Sequence, residues 1–111
     1  MRLARLDAMT RGWFVGGFQP TAFATDLFEV AVKRYAAGER ESLHHHKLAT
    51  EITLIVEGRV RMAGHELMTD DIIVLEPGEA TDFEAVSDAI TVVVKTPSVR
   101  GDKYEGGADA C

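Results

Sequence analysis

From Asp26 to Pro97 the chain never holds a helical period for a dozen residues. Its apolar residues come in short runs cut by turn residues, the pattern of strands. LFEVAVKRY (27–35) alternates, with Phe28, Val30 and Val32 on one face and Glu29, Ala31 and Lys33 on the other. TEITLIVEG (50–58) is β-branched and apolar on both faces, as a central strand requires. RVRMAG reads as a hairpin arm ending at Gly64, and DIIVLEPG (71–78) as a buried strand stopped by Pro-Gly. TDFEAVSD and AITVVVKTP form a pair around Ser87-Asp88. Many short strands spaced about 8–12 residues apart predict an all-β sandwich or barrel. Outside this region, RLARLDAM has Leu3, Leu6 and Met9 at a spacing that allows one helical turn.

A length of 111 residues suits a single domain over 1–111, with an arm (1–25), a core (26–97) and a tail (98–111). Hydrophobic residues make up 46%, enough for a core. Eighteen acidic residues against twelve basic ones give a net charge of -6, which argues against a nucleic-acid partner. No apolar run approaches the roughly 20 residues of a membrane helix, and MRLARLDAMTRG lacks the apolar segment of a signal peptide. A cytoplasmic setting is therefore expected. Cys111 is the only cysteine, so no intramolecular disulfide forms and a Cys-rich zinc site is excluded. It sits in a small-residue tail, GGADAC, that is expected to fray and has no catalytic role.

The stretch LHHHKLATEITLIVEG carries the chemistry. In an extended strand His44 and His46 point to one face and His45 to the other, as a packing or surface residue. Glu51 opens the next strand, and pairing of the two strands returns its carboxylate beside the imidazoles. Two His and one carboxylate can hold Fe(II) with open positions, or zinc with a bound water. The plainer reading of the same spacing is a solvated strand edge.

GERESLHHHKLATEITLIVEG runs Gly38, five residues, His44, one residue, His46, four residues, Glu51, six residues, Gly58. In this the chain resembles the cupin superfamily, whose first motif it matches at every defined position. The resemblance covers about residues 26–97 and implies a small jelly-roll β-barrel with the motif lining its interior. It also implies that His44, His46 and Glu51 are metal ligands, for one divalent transition metal such as Fe, Mn, Zn or Ni. Small cupins are often homodimers, so a homodimer is expected.

The second cupin motif, which brings a further histidine, is degenerate here. Aligning on Gly78 puts Thr81 at the histidine position, Asp70 at the first glycine, Glu76 at the proline and Ala85 at the asparagine. Alternation groups Thr81, Phe83 and Ala85 on the inward face, and a bulge would be needed to turn Asp82 inward as a ligand. His65, in a turn, is read as surface.

Further residues bear on the pocket. If the Phe28–Val32 face is inward, Arg34 reaches a barrel mouth, where it could hold an anionic group; a solvent-facing charge is the plainer reading. Tyr35 and Lys95 carry the same ambiguity. Trp13, Phe14 and Phe18 are read as packing over one barrel end or across a dimer interface. Arg100, Asp102, Lys103 and Tyr104 look specific and suggest a latch onto the barrel.

Two readings of function follow. In the first, the metal site serves an enzyme of dioxygenase, isomerase or lyase type acting on a small polar molecule. In the second there is no metal. His44 and His46 are then a general acid/base pair, as in sugar-nucleotide isomerases and epimerases of similar fold, or the barrel is a non-catalytic small-molecule-binding module.

Overall fold

The computed structural model describes residues 1–107; Cys111 and the end of the tail lie outside the described residues. Among the described residues the chain is all-β apart from one 3-10 turn at Leu6–Ala8. That turn is the short helix anticipated near the N-terminus. Leu6 and Met9 are half-buried on it, while Leu3 is exposed.

Eleven strands among the described residues form two facing sheets: β1 (Trp13–Gly16), β2 (Phe23–Ala24), β3 (Glu29–Tyr35), β4 (Arg40–His45), β5 (Thr50–Glu57), β6 (Arg59–Met62), β7 (His65–Met68), β8 (Ile72–Leu75), β9 (Ala80–Ala85), β10 (Ala89–Thr96) and β11 (Tyr104–Glu105). The large sheet runs β2-β1-β3-β10-β5-β8 and the small one β11-β4-β9-β6-β7. This is the expected jelly roll, with one correction. Among the described residues no ladder joins the two sheets, so they face each other without closing into a true barrel. TEITLIVEG holds an inner position in the large sheet, between β10 and β8. Strand β1 pairs with this chain's own β3, so its edge is not left for a partner sheet. No helix among the described residues is long and apolar enough to cross a membrane.

The apolar core fills one end of the space between the sheets. Ile55, Val60, Met62, Leu75, Phe83 and Ala85 are buried there. Burying each large apolar side chain stabilises the fold by about 1.5–3 kcal/mol. Gly58 makes the turn from β5 to β6 with φ 93°, and a Cβ there would lie 2.2 Å from the Asp88 carbonyl oxygen. Only glycine meets both demands.

Three strand readings are corrected. TDFEAVSD and AITVVVKTP do not pair: β9 lies in the small sheet and β10 in the large one, so the chain crosses between sheets at Ser87-Asp88. DIIVLEPG is not a buried strand: β8 is the edge of the large sheet, with Ile72 62% and Val74 49% exposed. In β3 the interior face is the polar-looking one. Ala31 is fully buried, and Lys33 and Tyr35 line the interior, while Phe28 and Arg34 are exposed. Arg34 therefore faces away from the interior, the plainer of its two readings. Register explains the inversion. Lys95 on β10 lies opposite Glu29 on one side and Glu51 on the other. The inner face thus carries a row of alternating charge across three strands, while Val30, Val32, Val92, Val94, Ile52 and Leu54 lie on the outer face.

Candidate metal centre

The end of the intersheet space away from the core is polar. Strand β4 brings His44 there, the connection to β5 brings His46, and Glu51 enters at the start of β5. One donor atom from each lies within 4.8 Å of the others. The two imidazoles meet edge to face, with ring centroids 5.6 Å apart. Both histidines are 6% exposed, so little water competes for their nitrogens. His45 points the other way, as expected. It is buried, stacks on Tyr104 at 5.5 Å, and its Nδ1 lies 2.8 Å from the Gly106 carbonyl oxygen.

Each donor is prepared differently. His44 Nδ1 lies 2.9 Å from the Ser42 carbonyl oxygen, so Nδ1–H donates and Nε2 is the nitrogen left to face the site. Burial lowers the pKa of His46 to about 4, helped by Lys95 and then His44. His46 is thus neutral, the ligating form, at physiological pH. The Lys95 ammonium lies 3.4 Å from His46 Nε2 and 3.2 Å from Glu29 Oε1. Burial raises the pKa of Glu51, against the opposing pull of Lys95 and His44. Its Oε2 is buried and, among the described residues, has no hydrogen-bond partner. A buried carboxylate oxygen without a donor is costly unless a cation meets it. Two imidazole nitrogens and this orphaned oxygen fit a divalent transition metal.

Sequence reasoning missed Glu41. Plain alternation puts it on the face opposite His44. In the structure Glu41 pairs with Phe83 and His44 with Thr81, so Ser42 and Leu43 together face one residue, Asp82. This bulge turns both Glu41 and His44 inward. Glu41 Oε2 accepts a hydrogen bond of 3.1 Å from the Tyr35 hydroxyl. Burial first, and Glu41 second, push the Tyr35 hydroxyl well above its ordinary pKa, which keeps it protonated.

The second-motif positions are informative. Asp70, in place of a glycine, has φ 77°, and Gly78 has φ 88°. The backbone turns of the motif survive although its histidine does not. Thr81 sits directly across the strand pair from His44, buried, with its hydroxyl donating to the Asp82 carbonyl oxygen at 2.6 Å. Thr81, Phe83 and Ala85 face inward as expected, and Asp82 is exposed. Asp82 is thus no ligand, and His65 is exposed as well. Among the described residues, the candidate ligand set is His44, His46 and Glu51.

The tail forms the latch anticipated for it. Strand β11 pairs with β4, and the buried Asp102 carboxylate accepts the backbone N–H groups of Lys47, Leu48 and Ala49 at 2.9–3.2 Å. These amides belong to the connection between His46 and Glu51. Trp13 and Phe18, expected to pack, line the cavities on either side of His46.

The pKa of His46 gives a pH prediction. An unfolded histidine takes a proton near pH 6.5 and folded His46 only near 4. Between these values the unfolded chain binds more protons, so this residue's contribution to stability falls as pH falls from 6.5 to 4. The raised pKa of Glu51 works in the opposite sense, because the folded state keeps that proton longer. In metal-free protein, His46→Gln is expected to flatten the decline of Tm toward pH 4. An equally steep decline in parent and variant would contradict the assignment.

No family profile matches the chain, and no curated protein matches it in sequence. Solved structures do match in fold. An uncharacterised protein with a double-stranded β-helix domain from Klebsiella pneumoniae superposes with a TM-score of 0.68 at 20% identity, over 75% of this chain and 73% of that one. DMSP lyase DddQ from Ruegeria pomeroyi gives 0.70 at 19% identity, over 89% of this chain and 52% of the lyase. The pirin YhhW from Escherichia coli, in complex with nickel(II), gives 0.67 at 18% identity, over 79% of this chain and 39% of the pirin.

Proposed function

We propose that this chain, which has the cupin fold, binds one divalent transition metal through His44, His46 and Glu51 and acts as an enzyme on a small polar molecule. The orphaned, buried Oε2 of Glu51 beside two buried histidines carries this reading. Iron, manganese, zinc and nickel all suit the donor set. The fold is shared with a nickel-bound pirin and with a lyase, which supports the reading without choosing a reaction.

When bound, the metal would supply Lewis acidity and open coordination positions to a substrate, for dioxygenase, isomerase or lyase chemistry. The chain's own residues do the rest. His44 is fixed in orientation by Ser42. Tyr35 holds a proton toward Glu41 and can release it into the cavity only to a strong base. Lys95 places a positive charge beside His46, and Trp13 covers the ammonium at 4.8 Å.

The test is metal content of untagged protein purified without chelator, beside His46→Ala. About one equivalent in the parent and little in the variant supports the reading. No metal in either, after reconstitution with Fe, Mn, Zn and Ni, sinks it. One observation favours a metal-free alternative: the Lys95 ammonium already faces the lone pair of His46 Nε2. In that reading His44 and His46 are acid/base groups, or the site only binds a ligand.

The proposal includes one domain over 1–111, a cytoplasmic setting and a homodimer. The outer face of the large sheet carries Val92, Leu54 and Ile72 in one row and Val94, Ile52 and Val74 in the next. The continuous apolar area and its exposed edge fit a second copy of the same face. Val74→Asp is expected to halve the mass measured by light scattering; a parent that is already monomeric excludes the dimer.

A further inference from the structure

We propose that the cavity at His44, His46 and Glu51 takes a small organic anion, a carboxylate or phosphate ester, held by Arg11, Lys33 and Lys103. The inference deepens the proposed function by naming the substrate class of the same cavity.

The chain carries a net charge of -6 and only twelve Lys and Arg residues. Four of those twelve, Arg11, Lys33, Lys95 and Lys103, line this one cavity, against two carboxylates, Glu41 and Glu51. They come from four separate places: the loop before β1, strand β3, strand β10 and the tail before β11. Sequence neighbours do not account for such a gathering; the topology does.

Lys95 is already paired with Glu29 at 3.2 Å. Among the described residues, Arg11, Lys33 and Lys103 have no carboxylate within 4.0 Å. Lys33 is the telling member. A lysine on a strand is usually found on the solvent face, with its ammonium in water. Here it points into the interior, 5.2 Å from the centroid of the Trp13 ring. Burial lowers its pKa, with Glu41 offsetting only part of the effect. A half-desolvated ammonium with no ion-pair partner is stabilised by an incoming anion. Arg11 and Lys103 are exposed, at the rim, and suited to drawing that anion in.

Size narrows the class. The cavity is about 190 Å³, below the roughly 300–1,000 Å³ of sites for drug-sized ligands. The space continues beyond His46 into an adjoining cavity of about 230 Å³, which shares Lys95 and Lys103, adds Arg100, and is lined also by the carboxylates Glu29, paired with Lys95, and Asp102, bonded to backbone N–H groups. A short chain with one anionic group near Lys33 fits this arrangement, with its other end toward the histidines.

The test is calorimetric titration of metal-free and of metal-loaded protein, in Tris chloride, with malonate and glycerol phosphate and their neutral counterparts malonamide and glycerol. Binding of an anion but not of its neutral counterpart is expected in the metal-free protein, where chelation plays no part. Lys33→Gln should weaken it about tenfold or more, the size of one charged contact. Lys103→Gln, at an exposed position, should weaken it with no change in Tm and keeps the test decisive if Lys33→Gln fails to fold. Equal binding of charged and neutral probes, or parent-like affinity in Lys103→Gln, overturns the inference. Metal uptake without anion selectivity overturns this inference alone. Anion selectivity in a protein that takes up no metal upholds it and overturns the metal reading.

Discussion

Asp102→Ala is expected to lower Tm by roughly 10–20 °C and to take metal uptake with it. Asp102 is 5% exposed, and its carboxylate accepts the three consecutive N–H groups of residues 47–49. Hydrogen bonds to a charged acceptor contribute about 1.5–3 kcal/mol each. The amides of Lys47 and Leu48 belong to exposed residues and recover part of this from water; the Ala49 amide is buried. A net loss of about 2–4 kcal/mol remains, and about 4–8 °C per kcal/mol applies to a domain of nearly this size. Asp102→Asn keeps one acceptor oxygen and should fall between parent and alanine variant. A thermal scan with Asp102→Ala within 2 °C of the parent, on the scale just given, would remove the latch from the account.

Glu51→Gln is expected to move stability and metal affinity in opposite directions. The amide nearly matches the carboxylate in shape but carries no charge. Burial disfavours the ionised carboxylate at this position, as its raised pKa shows. At pH 7 the metal-free variant should therefore melt above the metal-free parent. Its affinity for a divalent metal should fall by more than the roughly 10–100-fold typical of residues that only support a ligand. Melting curves with and without metal read both effects in one experiment. A variant that loses stability when metal-free and keeps its affinity for metal would show that Glu51 is structural.

Much of this was legible in the sequence. Short punctuated runs gave the all-β class, and the spacing of Gly38, His44, His46, Glu51 and Gly58 brought three donors into one cluster. The degenerate second motif was legible as well, since Thr81 occupies the place across from His44. Alternation in β3, however, separates two faces without saying which is inside. The usual rule points the apolar face inward, and a polar cavity reverses it, so Lys33 escaped notice. Glu41 was hidden by a bulge, because one extra residue flips the parity of everything before it. Asp102 stood out in the tail, but its partners lie more than 50 residues away in the chain, beyond any local pattern.

The same latch bears on how the protein is made. All three donors, His44, His46 and Glu51, precede Asp102 by about half the chain. During N-to-C synthesis they leave the ribosome well before the carboxylate that fastens the backbone between them. A nascent chain short of residue 102 has the three side chains but lacks the carboxylate that holds the connection between His46 and Glu51. Emergence of residue 102 thus sets the moment at which the connection between His46 and Glu51 can take its final shape.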